Sequence, residues 1–260
     1  MKRSIALLFV LALICAFAAP LPAQEGEYMH VTWVTVKPGM VGEFEDYIKK
    51  LIAGATKVGD PRAITAFSVT MGGPSRTYGF TRTFKKWAEL DSDLSSPQIL
   101  NKAYGDVEGA KIYKTGTSAV ESSETRVSRV IPELSREPSS NAPSAFYLVV
   151  RTEVEPSMGR TYRKFLDKLK AAEDKHDRSP VSRRVSVLGD AQIYSTVRGF
   201  DKWAERDAAM APGDALEKAY GAEEARELTD MAAGCVRHRT TYVVARRPDL
   251  SRTGTASTTN

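Results

Sequence analysis

The sequence predicts an α+β fold made twice over, as two tandem ferredoxin-like (βαββαβ) modules. Three observations predict it. A long internal repeat relates the two halves, strand-like and helix-like periodicities alternate in the same order in each half, and a polar joint separates them.

The repeat is dense. Tyr78, Arg82, Phe84, Lys86-Trp87-Ala88-Glu89 and Asp91 recur as Tyr194, Arg198, Phe200, Lys202-Trp203-Ala204-Glu205 and Asp207. The same spacing carries Leu100 and Lys102-Ala103-Tyr104-Gly105 onto Leu216 and Lys218-Ala219-Tyr220-Gly221, and Pro132, Leu134 and Ser135 onto Pro248, Leu250 and Ser251. A two-residue slip upstream matches Val36, Pro38, Met40 and Leu51 to Val154, Pro156, Met158 and Leu169. Module one is therefore placed at 25–135 and module two at 145–251, with a polar linker at 136–144 and a Thr/Ser-rich tail, expected to be disordered, at 252–260.

Each element follows from its pattern. His30 to Val36 is β-branched and aromatic, and Lys37-Pro38-Gly39 stops it. Phe44, Tyr47, Ile48, Leu51 and Ile52 fall on one helical face, repeated by Tyr162, Phe165, Leu166 and Leu169. A second strand near 63–71 turns at Gly72-Gly73 into a third at 76–84. Helical segments follow at 86–93 and 98–113, then a strand near 122–130. Module two places its strands near 146–154, 181–188, 192–200 and 236–245. That order is the split βαβ of a ferredoxin-like fold.

One such module leaves a sheet face bare, and two can close their sheets face to face. Duplication with this element order, carried by Tyr78 through Glu89 and Tyr194 through Glu205, resembles the dimeric α+β barrel superfamily, including the antibiotic-biosynthesis monooxygenases and NIPSNAP-like proteins. The resemblance implies an intramolecular dimeric α+β barrel, a pseudo-dimer within one chain. Some members of that superfamily bind haem, others are cofactor-independent oxygenases or isomerases, and the fold alone does not choose among them.

Composition narrows the remaining possibilities. The 260 residues are 42% hydrophobic and 27% charged, which excludes a disordered or collagen-like chain. Lys2 and Arg3, the apolar run Ile5–Ala19, and Pro20, Pro22 and Ala23 read as a signal peptide over residues 1–23, making the protein secreted or periplasmic. About fifteen apolar residues are short for a ~30 Å hydrocarbon core, so no membrane span is expected after cleavage. Loss of Lys2 and Arg3 lowers the net charge from +5 to +3, too little and too scattered for nucleic acid. Cys235 becomes the one cysteine after Cys15 leaves, and it reads as a small buried apolar residue.

Candidate chemistry is sparse. Tyr78, Phe80, Arg82 and Phe84 share one face of their strand, as do Tyr194, Thr196, Arg198 and Phe200. The arginines are expected to line the space between the sheets, where a guanidinium favours a carboxylate or phosphate. The ligand-binding candidates are therefore Arg198, Tyr194, Arg82 and Tyr78, with an acidic small molecule as partner. The alternative is a structural ion pair with Glu121, Glu124 or Glu153. Because Phe80 becomes Thr196, the cavity near Arg198 is read as the wetter one. Trp87 and Trp203 read as core, and Tyr104-Gly105 and Tyr220-Gly221 as a packing aromatic and a helix break.

His30 and His238 lie on strands, whereas His176 sits in the polar run Glu173-Asp174-Lys175-His176-Asp177, read as a solvated helix end. None has a second histidine at ligand spacing, so no metal is expected. The first strand lacks the asparagine of haem-degrading relatives, and no cofactor is assigned. Nucleophile elbows, phosphate loops and dinucleotide fingerprints are absent from the sequence. Two functions follow: a non-enzymatic small-molecule binding or interaction module, favoured on these residues, or a cofactor-independent oxygenase or isomerase. A histidine or acid converging on an arginine in one cavity would favour the second.

Overall fold

A computed structural model describes residues 27–91, 93–137, 143–177, 179–189 and 192–254. The expected signal segment, residues 138–142 of the joint and residues 255–260 of the tail lie outside these. The first half runs β1 (Tyr28–Val36), α1 (Val41–Lys57), β2 (Thr65–Met71), β3 (Thr77–Phe84), α2 (Ser96–Tyr104), α3 (Asp106–Ser118) and β4 (Val120–Val130). The second runs β5 (Phe146–Val154), α4 (Gly159–His176), β6 (Ser182–Leu188), β7 (Ile193–Phe200), α5 (Ala204–Ala208), α6 (Pro212–Tyr220), α7 (Ala222–Cys235) and β8 (Val236–Arg246).

The helical segment expected at 98–113 is interrupted at Gly105, as the Tyr104-Gly105 pair suggests, and forms two helices. Gly105 and Gly221 take φ of +85° and +84°, a conformation costly to any side chain, and there the helix axis turns. The amphipathic faces hold as read: Phe44, Tyr47 and Ile48 on α1, and Tyr162, Phe165, Leu166 and Leu169 on α4, are buried.

The eight strands close into one antiparallel barrel in the order β1-β3-β2-β8-β5-β7-β6-β4. The two halves share a strand order, β4-β1-β3-β2 and β8-β5-β7-β6, and join edge to edge. At one seam Phe67 opposes Arg246, and at the other Arg129 opposes Val185. Closure satisfies every edge, the groups that an open sheet leaves unpaired.

Helices cover the outside of the wall, giving two separate apolar cores. One contains Val34, Val36, Phe44, Tyr78 and Leu100, and the other Val154, Tyr162, Phe165 and Leu216. The alternate residues turn into the barrel, where Trp33 meets Tyr242 at 5.7 Å and Phe67 meets Tyr147 at 5.5 Å. No helix among the described residues is long and apolar enough to cross a membrane.

The halves also exchange their ends. Ile131 and Leu134, after β4, pack in the core of the second half, while Leu250, after β8, packs in that of the first. Arg136 bridges to Val181 and pairs with Asp174, and its repeat mate Arg252 bridges to Ile64 and pairs with Asp60 at 3.0 Å. Arg252, read as the first residue of a disordered tail, is buried.

Trp87 and Trp203 correct another expectation. They are 41% and 43% exposed, and each rests edge-on against the phenylalanine three residues before it. Each caps a buried phenylalanine in the triplets Tyr28–Phe84–Trp87 and Phe146–Phe200–Trp203, leaving the indole half-exposed at the end of the strand. Cys235 is fully buried as expected, its Sγ against the Met231 carbonyl oxygen at 3.1 Å, and burial pushes its thiol pKa up.

Candidate active site

Each half holds a cavity between the outer face of its wall and its helices. The first is about 660 Å³ and the second about 480 Å³. The strands supply one wall of the first through His30, Thr32 and Val34 of β1 and Phe80 and Arg82 of β3. Helix α1 supplies the facing wall through Phe44, Tyr47, Ile48 and Leu51. The surface is mostly aliphatic and aromatic, with a few convergent polar groups, the usual make-up of a small-molecule site.

Arg82 and Arg198 do not face the space between the sheets, as expected from the sequence, but the helix side. Partners other than Glu121, Glu124 and Glu153 make this possible. Arg82 Nη1 donates to Asp93 at 2.8 Å. Arg198 donates to Asp177 at 3.0 Å and to Glu173, which also receives two bonds of 2.7 Å from buried Arg183. The end of α4 is solvated only in part: Asp174, Lys175 and His176 are exposed as expected, whereas Glu173 and Asp177 are buried counter-charges. Burial opposes ionisation of Asp177, yet hydrogen bonds from Ser179 and the Arg198 charge hold its carboxyl below the usual range.

Neither tyrosine candidate lines its cavity. Tyr78 lies in the core and donates to Glu45 at 2.7 Å; burial first, then Glu45, push its pKa up to about 12. Tyr194 packs on Tyr162, their ring centres 5.1 Å apart, and burial raises its pKa as well.

The first cavity brings a strand histidine together with one of the candidate arginines. His30 stands opposite Arg82 across the β1–β3 ladder, and both line the cavity with Asp93. Burial lowers the His30 pKa from its ordinary 6.5, the Arg82 charge lowers it further, and Asp93 partly opposes them. The imidazole is therefore neutral at pH 7. Asp93 also faces Arg62 at 3.9 Å, and Arg62 pairs with Asp60. Burial alone would raise the Asp60 carboxyl, but hydrogen bonds from the Arg62 side chain and backbone bring it below its usual value. The result is a file of alternating charges, Arg82–Asp93–Arg62–Asp60–Arg252, along one edge of an apolar chamber.

The second cavity has no counterpart of the histidine. Leu148 opposes Arg198 as His30 opposes Arg82, and it lines the second cavity. That difference was legible, since the two-residue slip of the repeat places Leu148 on His30. No histidine lines the second cavity among the described residues, so that chamber offers no imidazole ligand to a haem iron.

No family model and no curated protein matches the chain. Solved structures match it in fold. An anthrone oxidase-like protein is 14% identical, aligned over 91% of this chain and 99% of its own, with a TM-score of 0.52. A "putative monooxygenase" from Lactobacillus acidophilus NCFM is 11% identical over 88% of this chain and 98% of its own, TM-score 0.52. A mutant chlorite dismutase from Candidatus Nitrospira defluvii is 10% identical over 87% and 93%, TM-score 0.52. At such identities the likeness shows the fold alone, a mixed α+β fold with an eight-stranded antiparallel barrel.

Proposed function

We propose that the protein is a cofactor-independent oxygenase whose chemistry takes place at His30 in the first cavity. The carrying observation is a neutral imidazole beside an ion-paired arginine in an apolar chamber of about 660 Å³. This arrangement favours the oxygenase reading over a purely non-enzymatic binding module. The fold shared with an anthrone oxidase-like protein and a "putative monooxygenase" agrees with it in general kind.

The substrate class suited to the chamber is a planar hydroxy-aromatic with an activated CH₂. His30 takes a proton from that carbon, and Arg82, held by Asp93, stabilises the negative charge delocalised onto the ring oxygen. The electron-rich carbanion reduces dioxygen directly and forms a C–O bond. The remaining C–H proton passes to the distal peroxide oxygen as the O–O bond breaks, giving C=O and hydroxide, and His30 returns its proton to that hydroxide, so CH₂ and O₂ become C=O and H₂O. The aliphatic wall from α1 keeps bulk water from quenching the carbanion.

The same proposal holds that the chain arose by duplication of one ferredoxin-like module, in the manner of NIPSNAP-like relatives, and is exported after cleavage near Ala23. A mature N-terminus near Gln24 on extracytoplasmic protein supports export; Met1 retained on soluble cytoplasmic protein contradicts it. Oxygen uptake tests the chemistry, with anthrone as the probe. Wild type consumes one O₂ per anthrone, and His30→Gln slows this by about 10²–10⁴-fold, the usual contribution of a general base. Equal rates in the two proteins would end the proposal.

A further inference from the structure

The two cavities occupy equivalent places, yet their charged groups have been redistributed. In the first, position 30 is histidine, position 90 leucine and position 123 serine; in the second, the equivalent residues are Leu148, Arg206 and Arg239. Strand register supports the last of these equivalences, since Ser123 opposes Val34 as Arg239 opposes Thr152. All six residues line their cavities. The second chamber has therefore lost its one candidate base and gained two cations.

The charge balance there is uneven. Glu173 and Asp177 neutralise Arg183 and Arg198. Glu205 turns its carboxylate to the backbone N–H groups of Asp201 and Lys202 at the head of α5. Arg206 and Arg239 make no ion pair among the described residues. Arg206 is half-buried after the Phe200 end of β7 and Arg239 exposed opposite Thr152, so their charge lies at the cavity's edges, while Leu148, Phe165 and Leu169 form an apolar interior. A pocket with an apolar interior and two unpaired guanidinium groups matches one ligand shape: an apolar body ending in a carboxylate, which a guanidinium receives through paired N–H donors.

The geometry points to module two as a second, non-catalytic site that binds an amphipathic organic carboxylate, held by Arg206 and Arg239 rather than by Arg198. The site does not depend on the chemistry assigned to His30.

The test is calorimetric titration of the full chain with decanoate, and with decan-1-ol as the uncharged probe. Decanoate binds once per chain and at least about tenfold more tightly than the alcohol, in line with a charged hydrogen bond. The double variant Arg206→Gln/Arg239→Gln loses about tenfold or more for decanoate, keeps its affinity for decan-1-ol and melts at the wild-type temperature. Should the double variant fail to fold, Arg206→Gln alone shows the same selective loss. His30→Gln binds decanoate as wild type does, which separates this site from the catalytic one. Absence of decanoate binding, equal affinity for the two probes, insensitivity to the arginine substitutions, or loss of binding in His30→Gln would each overturn the inference.

Discussion

Two residues show how the same local pattern serves different ends. Arg82 and Arg198 hold one register position in the repeat, and the sequence reveals that they are paired and face one way. It does not reveal which side of the sheet that is, because a buried arginine is tolerable wherever a carboxylate reaches it, and Asp93, Glu173 and Asp177 come from a loop and a helix end outside the strand pattern. Glu173 is the keystone of the second set: its side chain is 1% exposed and it holds both Arg183, 2% exposed, and Arg198. Glu173→Ala strands the buried Arg183, leaves Arg198 to Asp177 alone, and lowers stability by about 3–5 kcal/mol, read from chemical denaturation. Arg198→Ala costs less, because Arg183 continues to hold Glu173. His30 adds a pH term. Its folded pKa lies below the ordinary 6.5, so between those two values the unfolded chain holds more protons than the folded one. Stability therefore falls as the pH drops through that window, and His30→Gln flattens this part of the profile; an unchanged slope would remove His30 as its source.

At the scale of elements, periodicity carried most of the information. Strands β1 to β8 and helices α1 and α4 follow from alternation and from the i, i+3, i+4 face, because a half-buried strand and an amphipathic helix leave distinct spacings. In the segment after β3 the break at Gly105 is signalled by the glycine itself and not by spacing, which runs on through 98–113. The aromatic turn at Trp87 departs from the core reading because a tryptophan signals apolar contact, and a half-exposed cap on buried Phe84 supplies that as well as an interior does. Close packing of α3 on α1 gives a test at this scale. A Cβ at Gly116 would fall about 2.0 Å from the Tyr47 ring, which lines the first cavity. Gly116→Ala should therefore displace α3 and cost about 1–3 kcal/mol in a thermal melt, whereas Gly213→Ala, where a Cβ meets nothing within 4 Å, should leave stability nearly unchanged.

For the whole molecule, the repeat foretold closure but not exchange. Two sheets with bare faces must cover them, and sequence patterning shows those faces; which half receives the segment after each last strand is decided by chain direction at the seams. Because Leu134 and Leu250 are buried in the opposite half, the cores are coupled and the chain should unfold as one unit. Leu134→Ala and Leu250→Ala should each cost about 2–5 kcal/mol and still give a single transition. Separate transitions for the two halves would show that the exchanged ends do not couple them. The candidate site was legible only in part: the repeat exposes the exchange of His30 for Leu148, but the sequence alone does not place either in a cavity with an arginine.

The pH dependence of kcat/KM for anthrone-driven oxygen uptake tests the central claim, proton abstraction by His30, most directly, because it reports the ionisation of the free enzyme's base. The wild-type profile should rise with pH along a limb centred below 6.5, the side to which burial and Arg82 move the imidazole. His30→Gln should abolish that limb and lower the plateau by about two orders of magnitude or more. A limb that persists in His30→Gln, or one centred above 6.5 in the wild type, would contradict the account.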